Sequence, residues 1–343
     1  MKRKPALFTK IYLVLLFACA VWILLDQFVI PRELAPVQQA EAAISAEQTA
    51  VITEATVPPV ETELISEAAA AASAQESEPD NTTEPTASVM ETGAITEAPV
   101  LAAETEAPVS EPQITLSETR IFDTTVHIAE IRIPDASWLR TAIANDTYGR
   151  NIKQTVAEMA ADKDALLAIN GDYFGFRNSG YVIRNGVLYR DRIYDSDQED
   201  LCIWPDGSMT VIRETEVSAQ ELMDQGVQDV LSFGPALVLN GEIRVSESLA
   251  IGPYSDDNPR TAIGMIEPLH YLFVVSDGRT DTDKGLTPYQ LAELMRDMGA
   301  QLVYNLDGGG SSTMVYEGEI INFPTARGYW EERRVSDIVY IGR

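Results

Sequence analysis

A long stretch of this 343-residue chain has a composition that does not support a packed core. Residues 31–112 are rich in Ala, Glu, Thr and Pro, and they carry 16 acidic side chains against one basic side chain. A segment with so little aromatic surface cannot bury enough apolar area to offset its chain entropy, and its like charges extend it. We therefore expect residues 31–112 to form a disordered linker, and we assign the single globular domain to residues 113–343.

The first 30 residues predict a membrane anchor. Three basic residues at positions 2–4 precede an apolar run at 11–25, and residues 28–30 extend the segment to about the 20 residues that a spanning helix needs. The basic flank favours a cytoplasmic N-terminus with the rest of the chain outside. We expect a single-pass protein of a bacterial cell membrane with an extracytoplasmic domain. The alternative is secretion after signal-peptide cleavage near residues 40–42.

The net charge and the small numbers of cysteine and histidine exclude several kinds of partner and site. A net charge of −28 argues against a nucleic-acid partner, because Lys and Arg must neutralise phosphates. The two cysteines, Cys19 and Cys202, cannot form a disulfide framework, and two histidines cannot form a multi-histidine metal site. We expect the chemistry to rest on carboxylates, hydroxyls, amides and arginines.

Short apolar runs bounded by turn residues predict about a dozen strands in the domain. Asn-Gly or Asp-Gly pairs, which favour hairpins, stand at 185–186, 206–207 and 240–241. Helical periodicity or capping patterns predict helices at 151–164, 218–224 and 287–298. We therefore expect an α+β fold with a mixed, mostly antiparallel sheet and a few helices.

A glycine run is the densest cluster of unusual residues. It follows a predicted strand in the sequence Asn305-Leu306-Asp307-Gly308-Gly309-Gly310-Ser311-Ser312-Thr313. Consecutive glycines let the backbone approach a ligand closely, and consecutive N–H groups can hold an anion. Asp307 is a candidate acid, nucleophile or metal ligand, and a tight turn between strands is the alternative. Because no lysine follows the glycines, the run is not a Walker-type nucleotide loop.

Three further clusters of polar residues stand at the ends of predicted strands. They contain Asp277 with Arg279, Arg260 alone, and Asn170 with Asp172, Tyr173 and Phe174. Arginine suits bidentate recognition of phosphate, amide and carboxylate groups can orient a sugar or a water, and Tyr173 and Phe174 can form a stacking platform. The alternatives are a structural ion pair, a surface arginine and core aromatic rings. Four such strand ends together predict one shared cleft.

These motifs also occur in a recognisable order along residues 120–343. They are Asn170-Gly171-Asp172-Tyr173-Phe174, Pro259-Arg260-Thr261-Ala262-Ile263-Gly264, Asp277-Gly278-Arg279 and the run from Asn305 to Met314. In this order they resemble the motifs of the phosphodiester glycosidase family. The resemblance implies hydrolysis of the bond between a sugar's anomeric carbon and a phosphodiester, with release of free sugar and a phosphomonoester.

That reaction needs charge stabilisation on the departing phosphate and a carboxylate near the anomeric carbon. We predict Arg260 and Arg279 as phosphate clamps, and Asp277 with Asp307 as the pair that activates water or attacks the sugar. The predicted substrate-binding residues are Asn170, Asp172, Asn305, Gly308, Gly309, Gly310, Ser311 and Ser312. Of these, Asn170, Asp172 and Asn305 would hold sugar hydroxyls or a divalent ion.

Two other functions stay open at this point. One is a non-catalytic surface module that binds anionic cell-wall or exopolysaccharide polymer through the same arginines. The other is a metal-dependent phosphoesterase with Asp172, Asp277 and Asp307 as oxygen ligands. We expect a carbohydrate phosphodiester in a surface or extracellular glycan as the partner, and the membrane through the N-terminal segment. The sequence indicates no protein partner, no certain cofactor and no defined metal site.

Overall fold

The structure is a computed structural model, and it describes residues 7–37, 109–247, 257–326 and 328–343. Most of the predicted linker at 31–112 lies outside these described residues. The first strand of the domain begins at Gln113, where the composition of the sequence changes.

The described residues contain four α-helices, three of them in the domain. They are α1 Leu7–Phe28, α2 Val156–Asp162, α3 Ala219–Asp224 and α4 Pro288–Asp297. Each domain helix begins with a capping box, in which the side chain of Thr155, Ser218 or Thr287 accepts a backbone N–H from the first turn. Local sequence therefore sets where these three helices begin.

Helix α1 contains the apolar run that predicted the anchor. Among the described residues, no helix combines the length and the apolarity that crossing a membrane requires. The anchor stays a prediction.

The strands are short and numerous. The first ten are β1 Arg32–Glu33, β2 Gln113–Ile121, β3 Thr124–Arg132, β4 Leu139–Ile143, β5 Gly149–Arg150, β6 Leu167–Asn170, β7 Val182–Arg184, β8 Val187–Arg190, β9 Glu199–Ile203 and β10 Met209–Arg213. The next six are β11 Asp229–Leu231, β12 Ala236–Leu239, β13 Glu242–Ile243, β14 Thr261–Glu267, β15 His270–Ser276 and β16 Leu302–Asn305. The last five are β17 Met314–Tyr316, β18 Glu319–Ile320, β19 Thr325–Ala326, β20 Tyr329–Trp330 and β21 Asp337–Ile341.

Three sheets build the domain. A seven-stranded sheet has the order β13-β12-β16-β14-β15-β3-β2. The first five-stranded sheet is β10-β9-β11-β7-β8, and the second is β18-β17-β6-β21-β4. Two-stranded pairs form between β1 and β5 and between β19 and β20. All strand pairs found in the described ranges are antiparallel, which confirms the predicted α+β class with mostly antiparallel pairing.

The three sheets enclose one central core, and each sheet carries one helix on its outer face. In β15, Tyr271 and Phe273 belong to the central core, whereas Leu272 and Val274 pack with α4. This alternation follows from the two-residue period of a strand. In the same way, α3 covers the first five-stranded sheet and α2 covers the second.

In two of the predicted hairpins, both residues of the turn have positive φ. Asn185 and Gly186 have φ angles of 51° and 71°, and Asn240 and Gly241 have φ angles of 53° and 75°. Asn and Gly tolerate this conformation better than other residues, so the pairs fix the turns between β7 and β8 and between β12 and β13.

The seven-stranded sheet brings distant segments to one edge. Strand β14 pairs antiparallel with β15 and with β16, so its first residues lie beside the last residues of both neighbours. Thr261 faces Val275, and Ala262 faces Asn305. The residues that precede β14 and those that follow β15 and β16 therefore meet at this edge.

Candidate active site

The motif from Asn170 to Phe174 reaches the same edge through Asn170, the last residue of β6. Its side-chain Nδ2 donates to the Asp307 carbonyl oxygen at 2.6 Å. Its Oδ1 accepts the Thr261 hydroxyl at 2.8 Å and the Thr313 N–H at 3.2 Å. Asn170 thus joins the second five-stranded sheet to β14 and to both ends of the glycine run, and it positions Asp307 from behind.

A cavity of about 320 Å³ opens at this edge. Its lining consists of Tyr173, Phe233, Asn258, Arg260, Arg279, Asp307, Gly308, Gly309 and Arg333. Two other clefts, of about 350 and 490 Å³, contain no residue of the four motifs. We therefore take the 320 Å³ cavity, called the motif pocket below, as the candidate site.

Asp307 contributes the one carboxylate among the described residues that line the motif pocket. Burial raises the pKa of this carboxyl group to about 6, although the Ser311 hydroxyl, Arg333 and the Gly308 N–H each act to lower it. A carboxyl group with such a pKa can release or accept a proton near neutral pH. Asp307 therefore has the protonation behaviour that an acid–base group requires.

The glycine run makes room for two arginines. A Cβ atom at Gly309 would lie 2.7 Å from Nη2 of Arg279, and one at Gly310 would lie 2.8 Å from Nη2 of Arg333. Gly309 also has a φ angle of 63°, which L side chains rarely adopt. The absence of side chains at these two positions lets both guanidinium groups lie directly against the loop that carries Asp307.

The arginines are held by hydrogen bonds before any ligand binds. Nε of Arg279 donates to Asn258 Oδ1 at 3.0 Å, and Nη1 of Arg333 donates to the Ser311 hydroxyl at 3.4 Å. Nε of Arg260 donates to the Leu286 carbonyl at 2.8 Å. The site therefore holds three fixed positive groups beside one carboxyl group.

Burial lowers the pKa of Arg279, and the nearby positive charge of Arg333 lowers it further, while Asp307 raises it. Two like charges in a partly buried site repel each other unless an anion lies between them. The electrostatics of the motif pocket thus favour an anionic ligand.

The glycine backbone is used differently from our prediction that its consecutive N–H groups hold an anion. The Gly309 N–H donates to the Pro259 carbonyl at 2.8 Å, and the Gly308 N–H donates to Asp307. Ser311 and Ser312 are both buried, and the Ser312 carbonyl accepts Nδ2 of Asn322 at 3.0 Å. The pocket therefore offers arginine side chains, rather than a row of free glycine amides, to an anion.

Asp172 lies behind the motif pocket and not in its lining. Its Oδ2 accepts Nη2 of Arg184 at 2.8 Å and the Ser232 N–H at 3.0 Å, and its Oδ1 accepts the Phe174 N–H at 2.8 Å. These partners occupy the carboxylate that we predicted to bind sugar or metal. Asp172 instead fixes the two segments that carry Tyr173 and Phe233.

Asp277 and Asn305 are also placed outside the lining. Oδ1 of Asp277 accepts the Phe323 N–H at 2.7 Å, and its Oδ2 lies 3.3 Å from His127 Nε2. The Asn305 side chain donates to the Gly234 carbonyl at 2.9 Å. Of the predicted catalytic residues, Asp307, Arg260 and Arg279 line the motif pocket, and Asp277 supports its edge.

The donor set of the metal-dependent alternative is not assembled. Asp172 is committed to Arg184, and Asp277 to Phe323 and His127. Within the ranges that the structure describes, no group of three or more His, Cys, Asp or Glu side chains is arranged to hold a metal ion.

Two residues of the pocket lining, Arg333 and Phe233, and the adjacent Arg177 carried no signal that singled them out in the sequence. Arg333 follows two glutamates near the C-terminus, Phe233 follows a short apolar run, and Arg177 lies in a loop. The guanidinium carbon of Arg177 lies 5.9 Å from the ring centre of Tyr173 and 5.3 Å from that of Phe233. Only the fold brings these residues together.

Residues 163–342 match the family model described as phosphodiester glycosidase. This chain belongs to the phosphodiester glycosidase family. The matched range contains Asp307 and the three pocket arginines, so the motif pocket lies within the part that defines this family of glycosidase-type hydrolases.

Curated relatives share the domain but are much longer. An uncharacterized SPbeta prophage-derived protein of Bacillus subtilis is 33% identical over 183 residues, which are 51% of this chain and 28% of that protein. Human N-acetylglucosamine-1-phosphodiester alpha-N-acetylglucosaminidase is 29% identical over 208 residues, which are 55% of this chain and 40% of that enzyme. The chain therefore spans less than half of the length of either relative.

A solved structure agrees with the fold. It is the catalytic domain of zebrafish N-acetylglucosamine-1-phosphodiester alpha-N-acetylglucosaminidase, auto-inhibited by its pro-peptide. The TM-score is 0.56 at 23% identity, and the match covers 70% of this chain and 85% of that one. The likeness supports the α+β architecture described above.

Proposed function

We propose that this chain hydrolyses the bond between the anomeric carbon of a sugar and a phosphodiester, and releases free sugar. The observation that carries the proposal is the motif pocket, in which Arg260, Arg279 and Arg333 accompany Asp307. Membership of the phosphodiester glycosidase family supports the same chemistry. The name of the human relative suggests N-acetylglucosamine as the sugar.

The arginines supply the charge stabilisation. When the bond between the anomeric carbon and oxygen breaks, its electron pair leaves with the phosphate, which becomes a monoester. Positive groups that are fixed in advance stabilise that charge without reorganising. Planar guanidinium groups also match pairs of phosphate oxygens.

Asp307 supplies the carboxylate. Above its pKa of about 6 it is ionised and accepts a proton from the water that attacks the anomeric carbon. Asp277, which the sequence paired with it, holds the Phe323 N–H and His127. In this proposal Asp307 therefore acts alone, and Asp277 supports the edge of the site.

The proposed substrate is part of a surface or extracellular glycan. This part of the proposal rests on the basic residues at 2–4 and the apolar run at 11–25, which favour export of the domain. Fractionation of cells that produce the chain, with protease added outside, tests it. Full protection of the domain from external protease contradicts an outside location.

The central experiment measures sugar release by the purified chain from N-acetylglucosamine-1-phospho-methyl mannoside. We expect release by the wild type and by Asp224→Asn, an exposed site on α3 that serves as the matched control. Asp307→Asn is expected to lower kcat by about 10²–10⁴-fold, the usual contribution of an acid–base group. Full activity in a folded Asp307→Asn variant contradicts the role of Asp307.

Solvent labelled with oxygen-18 separates the alternatives. The proposal places the label in the released sugar, and a chelator leaves the rate unchanged. Label in the phosphate, together with loss of activity on chelation, indicates a metal-dependent phosphoesterase instead. Binding of anionic glycan without any cleavage indicates a surface module.

A further inference from the structure

We propose that the motif pocket separates the two halves of its substrate, with the sugar ring against an aromatic wall of Tyr173 and Phe233 and the phosphate at the arginines. This inference rests on the proposed function and names the residues that recognise the sugar. It concerns binding, so it can be tested apart from catalysis.

The aromatic wall is a rigid surface. Tyr173 and Phe233 line the same cavity as Asp307, although 60 residues separate them in the chain. The Arg177 guanidinium lies within cation–π range of both rings, at 5.9 and 5.3 Å. Its Nη1 also donates to the Ser232 carbonyl at 3.1 Å, which fixes it beside Phe233.

The backbone of the wall is held from behind as well. Asp172 accepts the N–H of Phe174, the residue after Tyr173, and the N–H of Ser232, the residue before Phe233. Asp172 is itself 1% exposed and paired with Arg184. A surface whose supports are buried and hydrogen-bonded in this way is organised before a ligand arrives.

The two kinds of surface suit different halves of the substrate. The face of an aromatic ring is negative, so it attracts the C–H face of a sugar and disfavours a phosphate. Arg177 is engaged by the rings and by Ser232, whereas Arg279 and Arg333 lie against the glycine run. The phosphate is therefore directed to Arg279 and Arg333.

Asp307 lies within electrostatic reach of both sides. Arg333 on the arginine side and Arg177 beside the wall each act to lower its pKa, against the larger effect of burial. A sugar held by the wall and a phosphate held by the arginines place the bond between them near this carboxylate. That position is the one that the proposed reaction requires.

The test measures the binding of N-acetylglucosamine and of inorganic phosphate separately, by calorimetry on the full chain. Tyr173→Leu is expected to weaken sugar binding by about tenfold and to leave phosphate binding within about twofold. Arg279→Gln is expected to weaken phosphate binding by about tenfold and to leave sugar binding within about twofold. Tyr173→Phe keeps the ring and is expected to bind the sugar as the wild type does, and Arg213→Gln, an exposed site on β10, controls for loss of charge.

Several results overturn the inference. The first is that Tyr173→Leu weakens the binding of sugar and of phosphate equally. The second is that Arg279→Gln loses sugar binding while Tyr173→Leu keeps it. The third is that the wild type binds no sugar. Phe233→Leu provides a second variant of the wall in case Tyr173→Leu does not fold. If the opposite effects of the two variants are observed but no substrate is cleaved, the wall stands and the proposed hydrolysis fails.

Discussion

Asp307 and Asp172 occupy matching places in the sequence but opposite environments in the fold. Each stands two residues after the end of a strand, in Asn305-Leu306-Asp307 after β16 and in Asn170-Gly171-Asp172 after β6. Asp307 faces the motif pocket beside Arg333, whereas Asp172 is sealed in a pair with Arg184. The same short pattern therefore gives a reactive group in one sheet and a structural anchor in another.

The sealed carboxylate belongs to a larger buried group. Nη2 of Arg184 donates to Asp172 at 2.8 Å and to Asp337 at 2.7 Å, and none of the three side chains is more than 1% exposed. Burial and the neighbouring charge of Asp172 raise the pKa of Asp337 well above its usual range. One arginine thus supplies the positive charge for two buried carboxyl groups.

Removal of this arginine is expected to have the largest effect on stability. Arg184→Met leaves Asp172 and Asp337 without their shared cation, and the loss of one partner from a buried ion pair costs about 3–5 kcal/mol. Urea unfolding measures the loss. The exposed Arg213→Met is the control, and a loss below about 1 kcal/mol for Arg184→Met shows that the buried group is not structural.

Removal of the Asp307 carboxylate is expected to have the opposite effect on stability from removal of Arg184. Where Asp307 is ionised, its replacement by a neutral side chain should stabilise the fold. Its raised pKa means that folding favours the protonated form, so this stability is present at pH 4 and is lost as the pH rises through about 6. Asp307→Asn should therefore be more stable relative to wild type at pH 8 than at pH 4, by about 1–3 kcal/mol. Urea unfolding at both pH values measures the difference. An equal difference at both contradicts the raised pKa.

Activity gives a related prediction for the wild type. Because ionised Asp307 is proposed to be the base, kcat should rise as the pH increases through about 6. A pH–rate profile measures this rise. A rate that falls over the same range indicates instead that the protonated form is the active one.

The smallest effect on activity is expected at Asp277. Asn at this position can still accept the Phe323 N–H, so Asp277→Asn should keep kcat within about tenfold of the wild type. The sugar-release assay measures the change. If Asp277→Asn lowers kcat as much as Asp307→Asn does, Asp277 is a member of the catalytic pair that the sequence predicted.

Local patterns explain which parts of the fold were predictable. The helix starts at Ser218 and Thr287 and the turns at 185–186 and 240–241 depend on neighbouring residues, so the sequence predicted them. The first helix was predicted to begin at residue 151, whereas it begins at Val156 after the capping residue Thr155. The order of strands within the three sheets depends on pairing between distant segments. Short strands such as β4 and β11 had no strong local signal and were missed.

The candidate site was predictable to a similar extent. The four motifs were expected to share a cleft, and β14 brings three of them together because it pairs with both β15 and β16. The fourth motif follows β6 in another sheet and is joined to them by the hydrogen bonds of Asn170. The roles of the carboxylates could not be distinguished, because they depend on remote partners. Asp172 meets Arg184 twelve residues away, but the same arginine also holds Asp337, which is 153 residues from it.

The glycine run has a consequence for how this family can vary in sequence. Gly309 and Gly310 leave the space that the guanidinium groups of Arg279 and Arg333 occupy, so even a methyl group there would displace positive charge from the pocket. Each glycine and its arginine should therefore be conserved together, although Gly309 is 30 residues from Arg279 and Gly310 is 23 residues from Arg333. Across an alignment of relatives, position 279 should co-vary with position 309, and position 333 with position 310.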